Sequence, residues 1–511
     1  MDAGNGQAGE RLSGLLETGS GPAAAFVTPE DGVTISYAQL ADRVEALARG
    51  LAGAGVRRGD RVALTLPNGP EFVQIILAVT LLGAAAAPLN PAYTETEFAF
   101  YLEDIAPRLL LVPAAGAPRA AVTAAGTASV PLIELAAGAG GQPELLTGGR
   151  PAGAAASYEP GEPGDIALVL HTSGTTSRPK QVPLRQRNLM ASARTIARHY
   201  QLGADDVSFC VMPLFHIHGL VASAFAAMGA GGTVIAPRRF TAHRFWPQAR
   251  EHGATWLSAG PTLHQMILDR ADADGAPASL RFARSCSSPL TPAVLERAEA
   301  GYGVPVLEAY GMTEASHQMT SNPLPPAARV PGSVGVPAGA EIAVIDAAGR
   351  FLAAGESGEV VIRGPGVMSG YLSNPAANEG AFVEGWFRTG DRGAVRDGYL
   401  YLEGRLKEMI LRGGENISPA EIEQALLAHP AVADAVCFGV SDARYGEVPA
   451  AAVTLSQDVP VADLTGHCRE RLAAFKVPTA IYVLPEIPRT ATGKVQRRRV
   501  GEHIVGTQAA G

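Results

Sequence analysis

The stretch IALVLHTSGTTSRPK, Ile166 to Lys180, sets the reading of the whole chain. Ile166 to Leu170 is an apolar run of strand length. It runs into Ser, Gly and Thr and then into a single lysine. Such a segment can turn backbone N–H groups, hydroxyls and one ammonium onto a polyphosphate. It is not the Walker pattern, which needs G-x4-G-K-[ST], and a Ser/Thr/Gly run taken alone is more often a plain turn. Lys180 is the first lysine of the chain. Only Lys407, Lys476 and Lys494 follow in 511 residues, although Lys and Arg together number 41. A chain that otherwise uses arginine keeps lysine where a compact ammonium fits and a planar fork does not.

Further runs of strand length occur at Val62 to Leu66, Val207 to Met212, Thr233 to Ala236 and Val304 to Glu308, with helical patterns between them at Tyr37 to Ala54 and Pro292 to Ala300. Strands alternating with helices predict an α/β fold with substantially parallel sheets. Phe72 to Ala87 is the longest apolar stretch and reads as a buried helix. From Pro113 to Gly164 the chain is rich in Ala, Gly and Pro and reads as a surface excursion or linker loop. Ala340 to Leu402 reads as short strands separated by turn signals such as DAAGR. Ser418-Pro419 followed by Glu421 predicts a helix start with a capping serine. The change of pattern puts a boundary at Arg405 to Glu408: an N-terminal part over 1–404, a hinge at 405–409 and a C-terminal domain over 410–511.

Hydrophobic residues make up 47% and charged residues 18%, a globular balance, and the formal net charge is -8. The basic residues are scattered, which argues against a nucleic-acid partner; Arg497 to Arg499 reads as a solvated face. The start of the chain shows no basic head followed by an apolar run, so no secretory signal is predicted. The longest apolar stretch falls short of the roughly 20 residues a membrane span needs, so no membrane insertion is expected. Four cysteines, far apart and without a CxxC pair, fit reduced thiols in a cytoplasmic protein.

HTSGTTSRPK, YGMTEAS (Tyr310 to Ser316), GWFRTGD (Gly385 to Asp391), GRLKE (Gly404 to Glu408), RGGENISPAEIE (Arg412 to Glu423) and PRTATGK (Pro488 to Lys494) occur in this order. Together they closely resemble the adenylate-forming acyl-CoA synthetase superfamily, over nearly the whole chain. The resemblance implies a large N-terminal part of two α/β subdomains plus a small β-barrel-like one, followed by a small mobile α+β C-terminal domain. It implies an ATP-dependent acid–CoA ligase working through an acyl-adenylate, with ATP, Mg²⁺ and coenzyme A. A homodimer is compatible with it.

By this resemblance Thr172, Ser173, Gly174, Thr175, Thr176 and Lys180 wrap the phosphates of ATP. Ser287, Ser288, Pro289, Tyr310, Gly311, Met312 and Thr313 line the nucleotide, with Tyr310 stacked on adenine. Asp391 and Arg405 bind the ribose. Glu314 and Thr175 hold Mg²⁺, Lys494 serves adenylation, and Lys407 is the hinge. Gly413, Gly414 and Lys476 are expected beside CoA, although Lys476 is equally read as structural. His216 is the gate of an acyl pocket that also includes Ser287, Gly311 and His317. His216 and His218, facing one way on a strand, also suggest a metal pair, but no third ligand is near.

Within the superfamily HTSGTTSRPK, MPLFHIHG, SCSSPL (Ser285 to Leu290) and EAYGMTEASHQMTSNPLPP (Glu308 to Pro326) look most like oxalate–CoA ligases. His216, Ser287, Ser288 and His317 could hydrogen-bond a second carboxylate, so a short dicarboxylate such as oxalate is favoured; His317 is equally a helix-surface residue. Two departures stand against this. Gly311 replaces the usual alanine, and a missing methyl at the pocket floor admits a longer or bulkier acid. Ser177 and Gln181 replace the two later glycines of the phosphate loop; related ligases tolerate changes at both sites, so a working loop is expected, and the alternatives are an enzyme confined to the thioester-forming half-reaction or a nucleotide-binding protein that has lost adenylation. A carrier-protein-loading enzyme is the remaining alternative, and no carrier segment appears along the chain.

Overall fold

The computed structural model describes residues 10–137, 142–172, 179–272, 274–413, 415–489, 495–497, 499–502 and 504. Two large sheets make up most of the N-terminal part. In the eight-stranded sheet, Ile166–Thr172, Ala85–Pro88, Arg61–Leu64, Leu109–Pro113 and Leu132–Ala137 lie side by side in parallel. The central strands Ala85–Pro88, Arg61–Leu64 and Leu109–Pro113 are almost continuously buried, as strands covered on both faces are, whereas Leu132–Ala137 alternates. The nine-stranded sheet has a parallel core of Val306–Met312, Phe282–Ser285, Trp256–Ala259, Val207–Phe209, Thr233–Ile235 and Ala24–Thr28. Strands, helices and the parallel arrangement agree with the expected α/β class.

The helix Tyr37–Gly53 matches its periodicity and starts at a capping box, with Ser36 and Gln39 bonded reciprocally. The apolar run from Phe72 to Ala87 is not one helix. It is the helix Pro70–Leu81, a turn at Gly83 with φ of +65°, and the strand Ala85–Pro88. The positive φ at Gly83 breaks a pattern that hydrophobicity alone shows as continuous.

The excursion predicted from Pro113 to Gly164 is also corrected. It contains the helix Arg119–Thr127 and the strands Leu132–Ala137, Pro143–Thr147 and Arg150–Pro151, which extend the eight-stranded sheet. The helix buries Ala121, Ala124 and Ala125. A face built from alanine packs closely without large apolar residues, which is why composition hid it.

The third unit is a five-stranded antiparallel sheet built on Gly358–Arg363 and Trp386–Arg396, and its described ladders leave it open. Tyr399–Arg405 pairs with Trp386–Arg396 and sets Asp391 directly opposite Arg405. The chain then makes a 3₁₀ turn, Leu406–Glu408, and enters a fourth sheet at Ile410–Arg412. That sheet, with the helices Pro419–Leu427 and Val461–Arg471, forms the C-terminal α+β unit. Ser418 does precede its first helix, but its hydroxyl donates to the Glu403 carbonyl instead of capping the helix.

Candidate active site

The units meet around a cleft of about 850 Å³. Thr172 ends one strand and Lys180 opens the antiparallel return, paired directly with it. The intervening Ser173, Gly174, Thr175 and Thr176, and also Ser177, Gly414 and Lys494, lie outside the described residues. The Lys180 ammonium is 4.3 Å from the Tyr371 ring centroid. Burial, then the nearby Lys407, lowers its proton affinity, while Glu314 opposes the shift.

Glu314 follows the strand Val306–Met312 and is buried. Tyr371 Oη donates to its Oε1 at 3.0 Å. Burial raises the Glu314 carboxyl, and the Tyr371 hydrogen bond is among the contacts that pull it down. No group of three His, Cys, Asp or Glu able to hold a metal occurs among the described residues. A lone buried carboxylate beside a lysine fits a magnesium ion that arrives with phosphate oxygens, since that ion is commonly held by one or two carboxylates plus substrate.

Farther along, the Tyr310 hydroxyl donates to Asp391, and Asp391 Oδ1 lies 3.3 Å from Arg405 Nε. Tyr310 and Asp391 are buried and stand behind the lining, whereas Arg405, Lys407, Met312 and Thr313 reach the cleft. Ser288 and Pro289 are not among the lining residues. Arg489 and Gln496, which bracket Thr490 to Lys494, do line it.

The lining also includes Phe215, His216, Ser287, Gly311 and His317. His216 and His218 are not on a strand: the chain leaves Val207–Phe209, turns, and enters a π-helix at His218–Phe225. Gly219 permits this turn, because a Cβ there would lie 2.3 Å from the Pro213 carbonyl oxygen. His218 is therefore directed inward, bonded to Ser258 Oγ at 2.7 Å and Ser287 Oγ at 2.9 Å. His317 is no helix-surface residue. It opens the strand His317–Ser321, is 2% exposed, and packs its ring 4.8 Å from that of His218. Ser287 and His317 both have positive φ, +76° and +102°, the strained backbone that sites tend to store.

Gly311 also needs correction. The ladder slips between Tyr310 and Gly311, and a Cβ on Gly311 would lie 2.1 Å from the His317 carbonyl oxygen. The missing methyl is required by the close approach of two backbones and opens no space for a larger acid. Gln181, expected within the phosphate loop, lies in the strand Lys180–Arg185 and turns toward Asp104. Its Nε2 donates to the Asp104 carbonyl at 2.7 Å and to Asp104 Oδ2 at 2.8 Å, beside His171.

The two remaining CoA expectations lie off the cleft lining. Lys476 Nζ bonds both carboxylate oxygens of Glu421 at 2.7 Å, and Gly413 N donates to the Tyr445 carbonyl at 2.8 Å. The sequence reading missed Tyr371 and Arg284. Tyr371 stands outside every quoted motif. Arg284 is the one charge inside the apolar strand Phe282–Ser285, a signal that was visible.

Comparison with known proteins came out in agreement on all three counts. The AMP-binding enzyme model matches residues 18–372, and the AMP-binding enzyme C-terminal domain matches 421–494. The chain is 44% identical to an oxalate–CoA ligase of Arabidopsis thaliana, covering 97% of this chain and 99% of that protein. It is 40% identical to an oxalate–CoA ligase of Saccharomyces cerevisiae, covering 94% of each. Its fold matches the o-succinylbenzoate coenzyme A synthetase of Bacillus subtilis in complex with ATP and magnesium ion, with a TM-score of 0.84, 31% identity and coverage of 96% and 98%. Among the described residues no helix is long and apolar enough to cross a membrane.

Proposed function

The chain belongs to the AMP-binding enzymes, and from that premise we propose that the acid it joins to coenzyme A is a short dicarboxylate, oxalate first. The protein is an AMP-forming acid–CoA ligase that uses ATP and CoA. A carboxylate oxygen attacks the α-phosphorus and pyrophosphate leaves. The CoA thiol then adds to the acyl carbon, and AMP departs with the electron pair of the broken C–O bond.

In our reading Lys180 and the residues after Thr172 hold the triphosphate, and Tyr371 orients Glu314 toward the metal-bearing phosphates. Magnesium, when bound, supplies positive charge that offsets the charge on phosphate oxygens. Arg405 meets the ribose and is backed by Asp391, which Tyr310 holds in turn. Lys494 acts in adenylation, Lys407 marks the pivot between the half-reactions, and Lys476 is structural. The inward turn of Gln181 supports a working phosphate loop. Four buried free cysteines support a reducing compartment, the cytoplasm.

One observation carries the choice of acid. The cleft lining includes His216, Ser287 and His317, hydrogen-bonding groups where a fatty-acid tunnel would be apolar. A panel of oxalate, malonate, sulfoacetate, octanoate and palmitate with ATP and CoA, read by mass spectrometry, tests it. The highest kcat/KM is expected for oxalate. Turnover led by palmitate would overturn the reading, and absent ATP–pyrophosphate exchange would return the chain to a thioester-only role.

A further inference from the structure

Arg284 lies in the strand Phe282–Ser285 and is 0% exposed. Its Nε donates to Tyr200 Oη at 2.9 Å, and its Nη1 donates to Ser258 Oγ at 2.8 Å and faces His218 Nε2 at 3.4 Å. Its Nη2 faces His317 Nδ1 at 3.3 Å. Among the described residues no carboxylate forms an ion pair with it. Guanidinium does not give up its proton in a protein, and a buried charge without a counter-charge is strongly unfavourable. The fold therefore holds a cation one side chain behind the acyl wall and leaves it unbalanced.

A guanidinium only donates, and this settles the protons around it. His317 Nδ1 must accept, so its ring carries hydrogen on Nε2. Ser258 Oγ accepts from Arg284 and passes its own hydrogen to His218 Nε2, 2.7 Å away. A hydrogen on that nitrogen would instead meet the Arg284 Nη1–H group. His218 therefore carries its hydrogen on Nδ1 and donates to Ser287 Oγ at 2.9 Å. The Ser287 hydroxyl hydrogen is then free to donate into the cleft that both Ser287 and His317 line. Burial first, and Arg284 second, push His218 and His317 well below the usual imidazole range, so both rings are neutral.

We infer that Arg284 is a positioning residue for the second anionic group of the acid: it fixes His317 and Ser287 as hydrogen-bond donors and supplies the positive charge that a distal carboxylate balances. The inference rests on the dicarboxylate reading above. It adds a residue that never touches the substrate yet selects for charge over shape.

The test compares wild type, Arg284→Met and Ser258→Ala on oxalate and on oxamate, which keeps the shape but replaces one carboxylate with a neutral amide. In wild type oxalate is preferred. Arg284→Met raises the KM for oxalate about tenfold or more and that for oxamate by no more than about twofold, since hydrogen bonds to charged groups are the strong ones. Ser258→Ala, which cuts only the branch to Ser287, gives a smaller rise in the same direction and keeps the test valid should Arg284→Met fail to fold. Nitrogen NMR of ¹⁵N-histidine-labelled protein shows His317 in the Nε2–H tautomer in wild type, and this preference weakens in Arg284→Met. An oxalate-to-oxamate ratio unchanged in the variants, or a wild-type His317 protonated on Nδ1, overturns the inference. A wild type that does not prefer oxalate removes the dicarboxylate reading itself.

Discussion

Tyr371 holds Glu314 by a 3.0 Å hydrogen bond while its ring lies 4.3 Å from the Lys180 ammonium, so one phenol joins the cation and the carboxylate of the phosphate end. Burial alone favours the protonated Glu314, and the Tyr371 hydrogen bond opposes it. Tyr371→Phe should reduce kcat/KM for ATP about 10- to 100-fold, the scale of a hydrogen bond to a charged group. A carboxyl with a raised pKa is ionised only above that value, so activity falls as pH drops through it. Losing the hydrogen bond moves this acid limb to higher pH. A pH–rate profile with an unmoved limb sinks the role.

Gly311→Ala distinguishes a roomy pocket from a crowded backbone. With the His317 carbonyl oxygen 2.1 Å from the new methyl, the strand must shift. Stability should fall by about 1–3 kcal/mol, as for other overpacked sites, and the oxalate KM should rise as His317 moves. Unchanged melting together with a simple loss of larger acids would restore the pocket-size explanation.

Lys494→Ala should slow acyl-adenylate formation by about 100-fold or more, the scale of losing one preorganised contact. Arg489 and Gln496, described residues near that lysine in sequence, line the cleft. Thioester formation from supplied acyl-adenylate should stay near normal. Equal damage to both half-reactions, assayed separately, is the outcome that removes this assignment.

Lys476→Met should leave the KM for CoA unchanged and cost less than about 1 kcal/mol, as for other partly exposed ion pairs. Its Nζ is committed to both oxygens of Glu421. A KM for CoA raised tenfold would return Lys476 to the binding site.

What was legible in the sequence follows from what each signal depends on. The helix Tyr37–Gly53 and the strand Ile166–Thr172 announce themselves because periodicity, capping and apolar run are local. The segment after Pro113 escaped because alanine is a poor marker of burial even when it packs tightly. His317 escaped because its surroundings, His218, Arg284 and the Gly311 backbone, come from three separate places in the chain. Ser418 was assigned its usual capping partner, whereas the Glu403 carbonyl lies closer. Local chemistry was readable, and convergence in space was not.

The Asp391–Arg405 pair closes the last ladder before the turn Leu406–Glu408. Atoms next to a fulcrum travel little for a given angle, and atoms at the end of the arm sweep far. With the pivot we propose at this turn, the proposed ribose contacts would stay nearly still while the outer loops of the C-terminal unit trade places over the cleft. Leverage of this kind would let the enzyme exchange one tool for another without loosening its grip on the nucleotide.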